Sequence, residues 1–245
     1  MNNYLQGQKF RELSDNNKIY YCETHNIHTF FKGINFTHDF ILITHNSDDK
    51  VDNVRNLPTN LKHWFAQNVC INHPKIESIP IGLENSQWFP EIGKIDKMKT
   101  KINEERNFKN LLYINHNINT NYNERYKPYQ LFRDKSFVTC VEGKNGEGFE
   151  SYLDNIYNHK FVLCPEGNGT DTHRTWECLY MGTIPIEKRN INNSFYTNLP
   201  ICFVNDWEEI TESFLNTEYE RIKNTNFNLE KLDFDYWRKR IINSL

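Results

Sequence analysis

The chain is predicted to be an α/β protein, and three observations lead to that class. Strand-like segments alternate with segments of helical periodicity along most of the second half. Aromatic residues make up 14% of the 245 residues, so the chain can bury a core although hydrophobic residues are only 38%. The length allows one large domain or two small ones, at about 150 residues each. We therefore expect a folded, soluble α/β protein.

Charge and cysteine usage exclude several other classes. The 29 Lys and Arg residues nearly balance 32 Asp and Glu residues, which argues against nucleic-acid binding by bulk neutralisation of phosphates. No segment approaches the roughly 18 uninterrupted apolar residues of a membrane span, and the first residues lack the apolar centre of a signal peptide. The six cysteines form no C-x-x-C pair. We expect them to be reduced, and the protein to be cytoplasmic.

The first half contains two predicted strands and a helix. Residues 39–46 (DFILITHN) are apolar and end in polar residues, which is typical of a buried strand. Residues 61–71 (LKHWFAQNVCI) are interpreted as an amphipathic helix whose aromatic pair packs in the core, or alternatively stacks on an acceptor sugar. Residues 76–85 (IESIPIGLEN) predict a short strand that breaks at proline and glycine. Residues 91–109 have helical spacing and are predicted to link two halves.

The second half alternates strand and helix. Five strands are predicted, within residues 110–121, 136–143, 160–165, 183–188 and 200–204. Five helices are predicted, within residues 124–135, 151–160, 172–182, 206–216 and 233–245. Asp206 stands where the N-cap of the fourth of these helices is expected. Because strand and helix alternate throughout residues 110–216, we expect a parallel, Rossmann-like sheet.

The most informative segment is the strand, loop and helix at residues 160–188. Free backbone N–H groups and the positive dipole end of the helix favour an anion, by about 0.3–1 kcal/mol at an exposed site. Gly167 and Gly169 would let backbone approach a ligand closely. We predict an anion site formed by loop and helix residues Asn168, Gly169, Thr170, Asp171, Thr172 and His173.

Two ionisable side chains of the same helix extend this prediction. Arg174, in the first turn, can donate two hydrogen bonds to phosphate oxygens. Glu177 lies one turn later, where its carboxylate could accept two ribose hydroxyls. Together they describe a site for a nucleoside diphosphate. The structural alternative is a glycine-bearing loop and a helix-capping aspartate of the kind common in α/β domains.

The run CPEGNGTDTHRTWECLYMGTIPI (residues 164–186) resembles the donor-binding signature of exostosin-like glycosyltransferases. In that family a strand and a proline precede a Gly-Asn-Gly loop, and an Arg-bearing helix, an acidic residue and a Gly-x-[Ile/Val]-Pro-[Ile/Val] ending follow. The helix is also similar to that of α-1,3-fucosyltransferases, which have a basic residue eight positions before the glycine, as Arg174 stands before Gly182. The resemblance covers this run strongly and residues 110–205 weakly.

The resemblance implies a GT-B-like architecture, with two Rossmann-like halves of which the N-terminal one is reduced. The acceptor-side half would be residues 1–108 and the nucleotide-sugar half residues 109–232, with a terminal helix at 233–245 that could cross back to the first half. The resemblance also implies that Arg174 contacts the diphosphate and that Glu177 contacts the ribose.

The implied activity is that of a hexosyl- or pentosyltransferase. It would move a sugar from a UDP- or GDP-linked donor to a hydroxyl of a glycan or glycoconjugate acceptor, with inversion at the anomeric carbon. The nucleotide sugar is then a co-substrate, and no other cofactor is expected. Two alternatives stay open: an α-1,3-fucosyltransferase-like enzyme that uses GDP-fucose, and a non-catalytic module that binds a sugar nucleotide or a glycan.

Further candidate residues follow strands whose ends should face the inter-domain cleft. Asn115 follows the first strand of the second half, and Arg125 is a candidate second contact to the diphosphate. Gly82 could allow the donor to approach, or could simply form a turn. Asp48 and His45 are candidate bases for the proton of the acceptor hydroxyl, or members of an Asx turn.

We expect no essential metal ion. The acidic run at residues 47–49 is similar to the metal-binding motif of GT-A enzymes. Sites of the GT-B type instead stabilise the leaving diphosphate with basic residues and a helix end. His25 and His28 have metal-compatible spacing, but no third ligand is near them in the sequence.

Overall fold

The structure is a computed structural model that describes residues 3–15, 17–33, 36–87, 93–141 and 148–245. It contains two parallel sheets, of four and five strands, with α-helices between the strands. The predicted α/β class is therefore confirmed. The start of the predicted linking segment and the end of the predicted strand at 136–143 lie outside the described residues.

The first sheet joins four parallel strands in chain order: β1 (Ile19–Glu23), β2 (Phe40–His45), β3 (Leu61–Ala66) and β4 (Ile76–Ser78). β2 is buried along its whole length, as residues 39–46 predict. Its side chains alternate between the two faces of the sheet, because successive residues of a strand point in opposite directions. Ile41 and Ile43 pack in one core cluster, and Phe40 and Leu42 pack in another.

β3 corrects the prediction of a helix over residues 61–71. Trp64 and Phe65 are nearly fully buried but belong to core clusters on opposite sides of the sheet. Neighbouring residues of a strand serve two layers in this way, whereas a helix would direct them toward adjoining parts of one surface. The pair is therefore core, as predicted, but the helix was wrong. β1 was not predicted at all.

The second sheet has the strand order β6-β5-β7-β8-β9, and all neighbours are parallel. Its strands are β5 (Asn110–Ile114), β6 (Val138–Cys140), β7 (His159–Leu163), β8 (Ile184–Lys188) and β9 (Cys202–Val204). This is the doubly wound, Rossmann-like arrangement that the alternation predicts. The direction of winding reverses between β5 and β7, so a crevice forms at the carboxyl ends of those two strands.

Eight α-helices are found among the described residues. They are α1 (Gly7–Arg11), α2 (Ile27–Gly33), α3 (Lys94–Lys101), α4 (Tyr122–Phe132), α5 (Phe149–Tyr157), α6 (His173–Tyr180), α7 (Glu212–Lys223) and α8 (Phe234–Ile242). Each helix predicted in the second half has a counterpart among α4 to α8. The predicted cap of the fourth was wrong by one turn, because Asp206 caps a 3-10 turn (Trp207–Glu209) and Thr211 caps α7.

One hydrophobic cluster runs between the two sheets. It combines Ile41 and Phe65 of the first sheet with Tyr113 and Val162 of the second. The terminal helix α8 contributes Trp237 to the same cluster. An ion pair of 2.7 Å also joins Arg240 of α8 to Glu77 of β4, so α8 contacts the first half. Both halves therefore share buried apolar surface.

Two sequence-level expectations concern the whole chain. Within the described ranges, none of the helices is both long and apolar enough to cross a membrane. All six cysteines are described, and none of them forms a disulfide.

Candidate functional site

A cleft of about 460 Å³ opens at the carboxyl ends of β5 and β7. Its walls come from the segment after β5, the loop after β7, the amino end of α6 and α5. The first half contributes Asp48, which follows β2, and Ile81, which follows β4. The cleft therefore lies at the switch point of the second sheet and faces the first half, where ligands of doubly wound sheets bind.

Ten of the predicted site residues line this cleft. They are Asp48, Asn115, Arg125, Asn168, Gly169, Asp171, Thr172, His173, Arg174 and Glu177. The remaining three, His45, Thr170 and Gly82, are not part of its lining.

Two guanidinium groups face the cleft, and neither has a described carboxylate within 4.0 Å. Arg174, on the first turn of α6, has its Nε atom shielded from solvent and without a hydrogen-bond partner among the described residues. Burial opposes the charge of Arg174, but Tyr152 and the more distant charge of Glu177 outweigh it and raise the pKa of Arg174. Arg125 of α4 is buried, and its Nε and Nη1 donate to the carbonyl oxygens of Glu166 (2.8 Å) and Asn117 (3.0 Å).

The pKa of Arg125 reflects the cost of burying its charge near that of Arg174. Burial, and then the neighbouring charge of Arg174, lower the pKa of Arg125 to about 10. Charges taken out of water without a counterion are destabilising, so proteins retain them mainly where a ligand supplies the opposite charge. The two guanidinium groups therefore form a site suited to a multiply charged anion such as a diphosphate.

Glu177 lies deep in the same wall, with 3% of its side chain exposed. Its Oε1 is 2.5 Å from the Lys94 ammonium, and its Oε2 accepts from the Tyr152 hydroxyl at 2.5 Å. Burial alone would raise the pKa of Glu177, but Lys94 and Tyr152 lower it to about 2. The carboxylate is thus ionised and fixed. Each oxygen keeps a lone pair that could accept a hydroxyl, so its contact with a ribose stays a prediction.

The amino end of α6 is partly occupied by the protein itself. The buried carboxylate of Asp171 accepts from the backbone N–H of Ile81 (2.8 Å) and from Nε1 of Trp176 (2.9 Å). Thr172 adds a backbone hydrogen bond to the same carboxylate. Burial nevertheless raises the pKa of Asp171 to about 6. Asp171 therefore ties the first half to α6, and an anion bound in this cleft would depend more on the two arginines than on the helix end.

Both glycines of the loop line the cleft and also pack closely against side chains. A Cβ on Gly167 would lie 2.9 Å from Nη2 of Arg125, and one on Gly169 would lie 2.6 Å from Nδ2 of Asn68. A larger residue at either position would therefore displace one of these side chains. Close approach of a ligand to the backbone here stays a prediction.

The three predicted residues outside the cleft lining have structural contacts. His45 is 1% exposed, its Nε2 bonds the carbonyl of Pro80 (2.9 Å), and its Nδ1 accepts from the backbone N–H of Asn46 (2.7 Å). Burial lowers the pKa of His45 to about 4. Thr170 contacts Cys70 at 3.3 Å. Gly82 has a φ of +68°, and a Cβ there would lie 2.4 Å from the carbonyl oxygen of Leu5.

These contacts leave one of the two predicted bases in the cleft. His45 has both ring nitrogens engaged and no access to a substrate, so it cannot serve as the proton acceptor. Asp48 is exposed at the cleft mouth, and its Oδ2 accepts from Nδ2 of Asn168 at 3.2 Å. This hydrogen bond connects the first half to the loop after β7, which is part of the predicted donor site. Gly82 requires glycine because of its positive φ and its close approach to the backbone of Leu5.

A buried carboxylate behind α6 gives a pH-dependent prediction. Glu187 accepts from Thr175 (2.5 Å) and Asn193 (3.1 Å), and burial raises its pKa to about 7. An unfolded chain ionises its glutamates near pH 4.3. Between about pH 4 and 7 the folded protein therefore binds more protons at Glu187 than the unfolded protein does, and stability falls as the pH rises.

We expect Glu187→Gln to remove this pH-dependent loss of stability, because a glutamine can form hydrogen bonds with both Thr175 and Asn193. Denaturant unfolding at pH 5 and pH 8 should show that the variant gains on the order of 2 kcal/mol relative to wild type at the higher pH. A constant difference between the two proteins across that range would contradict the assignment.

Two residues of the site were missed by sequence reasoning. Lys94 and Tyr152 hold Glu177, yet they come from α3 and α5, whose sequences carry no motif. The helical periodicity predicts both helices but not which side chain meets the cleft. No described group of three or more His, Cys, Asp or Glu side chains is arranged to hold a metal ion.

Comparison with known proteins adds no assignment. No protein-family model matches the chain, and no curated protein sequence matches it significantly.

Proposed function

We propose that this protein is a glycosyltransferase of GT-B-like architecture that moves a sugar from a nucleotide-diphosphate donor to a hydroxyl of a glycan acceptor, with inversion. The observation that carries the proposal is the pair of desolvated guanidinium groups, Arg125 and Arg174, which face a cleft at the switch point and have no described carboxylate within 4.0 Å. The resemblance of residues 164–186 to exostosin-like glycosyltransferases supports it independently.

In this reaction the main tasks of the protein are to position the substrates and to stabilise the developing charge. The acceptor oxygen attacks the anomeric carbon, the bond from that carbon to the donor phosphate breaks, and negative charge develops on the leaving diphosphate. Arg125 and Arg174, both largely buried, would stabilise that charge. Glu177, fixed by Lys94 and Tyr152, would orient the ribose.

The acceptor would enter from the side of the first half. Asp48 lines the cleft on that side and is the predicted base that has access to it. The interface between halves is held by direct hydrogen bonds, including Asp171 to Ile81 and Asn192 to Val69. We therefore expect the donor and acceptor sites to be largely formed before a substrate binds.

A donor panel tests this function. The protein is incubated with UDP-glucose, UDP-N-acetylglucosamine and GDP-fucose, and the released UDP or GDP is measured with and without oligosaccharide acceptors. We expect release from at least one donor, and preference for GDP-fucose would indicate the fucosyltransferase-like alternative. Nucleotide-dependent thermal stabilisation without any release would indicate a non-catalytic binding module. The proposal would be contradicted if the nucleotides did not stabilise the protein and no donor released its nucleotide.

A further inference from the structure

His173, the first residue of α6, lines the cleft and has one ring nitrogen held by the first half. Its Nδ1 lies 2.7 Å from the carbonyl oxygen of Gly82. A carbonyl oxygen can only accept, so Nδ1 carries the proton of this hydrogen bond. In the neutral ring, Nε2 is then the unprotonated nitrogen with an available lone pair. The backbone of the first half thus selects the tautomer that a proton acceptor needs.

His173 also stands where two pockets meet. A second pocket of about 240 Å³ lies beside the cleft, at the carboxyl ends of β2 and β3. Three residues line both spaces: Asp48, Ile81 and His173. A hydroxyl group that reaches the cleft from the smaller pocket must pass this junction. His173 is 31% exposed on its side chain, so it is accessible there.

Carboxylates lie near the ring of His173. The nearest carboxylate oxygen, Oε2 of Glu84, lies 3.6 Å from Nε2. Asp171 and Glu177 also interact with His173 electrostatically, and His45 opposes its charge only when protonated. Arg174, the next residue of α6, is the adjacent cation. Glu84 is therefore the carboxylate beside the nitrogen that would gain the proton.

We infer that His173 is the general base of the proposed transfer and that Glu84 is its positioning and charge-stabilising partner. The inference rests on the proposed function. The O–H bond of the acceptor breaks as its proton passes to Nε2 of His173, and the oxygen forms a bond to the anomeric carbon. The bond from that carbon to the phosphate oxygen breaks, and its electron pair leaves with the nucleoside diphosphate. Glu84 compensates the charge of the imidazolium.

An imidazole suits this role better than the exposed Asp48. The ordinary pKa of an imidazole is nearer to neutral pH than that of a carboxyl group, and a general base works best when its pKa lies near the working pH. Asp48 is also engaged with Asn168 across the cleft mouth. His173 keeps Nε2 beyond hydrogen-bond distance of its carboxylate, so this nitrogen can accept from a substrate.

The decisive variant is His173→Asn. The asparagine amide can replace Nδ1 as the donor to Gly82, which preserves the local structure, but it offers no base in place of Nε2. We expect kcat for nucleotide release from the donors named above to fall about 100-fold or more. The affinity for UDP or GDP, measured by calorimetry, should stay within about twofold of wild type because the arginines are untouched.

Glu84→Gln is the companion variant, and the pH profile is its readout. Loss of the carboxylate makes the protonated ring less stable, so the acidic limb of the kcat profile should move to lower pH. A structural role for either residue would not move that limb. If His173→Asn does not fold, the pH dependence of kcat in Glu84→Gln is the test of the inference.

Three results would overturn the inference while leaving the proposed function intact. They are full kcat in folded His173→Asn, an unmoved limb in Glu84→Gln, and loss of the limb in Asp48→Asn but not in His173→Asn. Failure of the proposed function is distinct, because wild-type protein would then neither bind UDP or GDP nor release nucleotide from any donor. In that case the inference falls with it.

Discussion

Arg174→Ala should lower the affinity for UDP and GDP and the rate of nucleotide release by about 100-fold or more. Its guanidinium faces the cleft with a solvent-shielded Nε that no described residue bonds. The internal contacts of Arg174 are with Tyr152 and with the charge of Glu177, and Glu177 keeps its ion pair with Lys94 in the variant, so most of the loss should fall on the ligand. Arg174→Lys should recover part of the affinity, because an ammonium keeps the charge but not the two parallel hydrogen bonds.

The stability of Arg174→Ala separates a binding role from a structural one. Removal of the buried Arg174 charge leaves Glu177 paired with Lys94, so the free energy of unfolding should stay within about 1 kcal/mol of wild type, or rise. Arg238→Ala is the matched control, since Arg238 is an exposed residue of α8 and pairs with Asp235 at 3.4 Å. Unchanged nucleotide affinity in Arg174→Ala would remove this residue from the site.

Trp176→Ala should have the largest effect on stability, a loss of about 3–5 kcal/mol measured by denaturant unfolding. The indole is fully buried and packs edge-on against Tyr196, with ring centroids 5.1 Å apart. Its Nε1 donates to Asp171, which also accepts from Ile81 of the first half. Truncation would therefore leave a cavity and also weaken the junction between the two halves.

Trp176→Phe isolates the hydrogen bond from the packing. The ring volume is largely retained while the Nε1 donor is lost, so a cost of about 1–3 kcal/mol is expected. Loss of that donor should also raise the pKa of Asp171 above its present value of about 6. Tyr122→Ala is a suitable control, because Tyr122 is 55% exposed on α4. Equal stability of Trp176→Phe and wild type would contradict the role of the indole N–H.

The strands and helices of the second half could be predicted because their sequence periods match their burial. Residues such as Phe161, Val162 and Leu163 form an unbroken apolar run, as expected of a central parallel strand. The first half was harder. The aromatic residues of β3 are compatible with either a helix or a strand that is buried on both faces. The pairing with β2 distinguishes the two, and it is a tertiary contact. β1 carries half-buried tyrosines on an edge strand, a weak signal.

The candidate site was predictable where one segment supplies it and not where several do. Residues 164–186 carry Arg174 and Glu177 in a recognisable order, so both could be found from sequence. The partners of Glu177 come from two other helices. Burial of His45 also depends on long-range packing, since Pro80 accepts from its ring across 35 positions of the chain. The order of residues along the chain does not show which of the residues at the end of a strand face the cleft.

Calorimetric titration of the wild-type protein with UDP and GDP, set against UMP and GMP, tests the central claim most directly. Arg125 and Arg174 predict that one diphosphate binds at least about tenfold more tightly than its monophosphate, because the second phosphate adds charge-assisted hydrogen bonds. They also predict that this preference disappears in Arg174→Ala. Folded protein that gives no heat of binding with either diphosphate would contradict the claim that this cleft holds a nucleoside diphosphate.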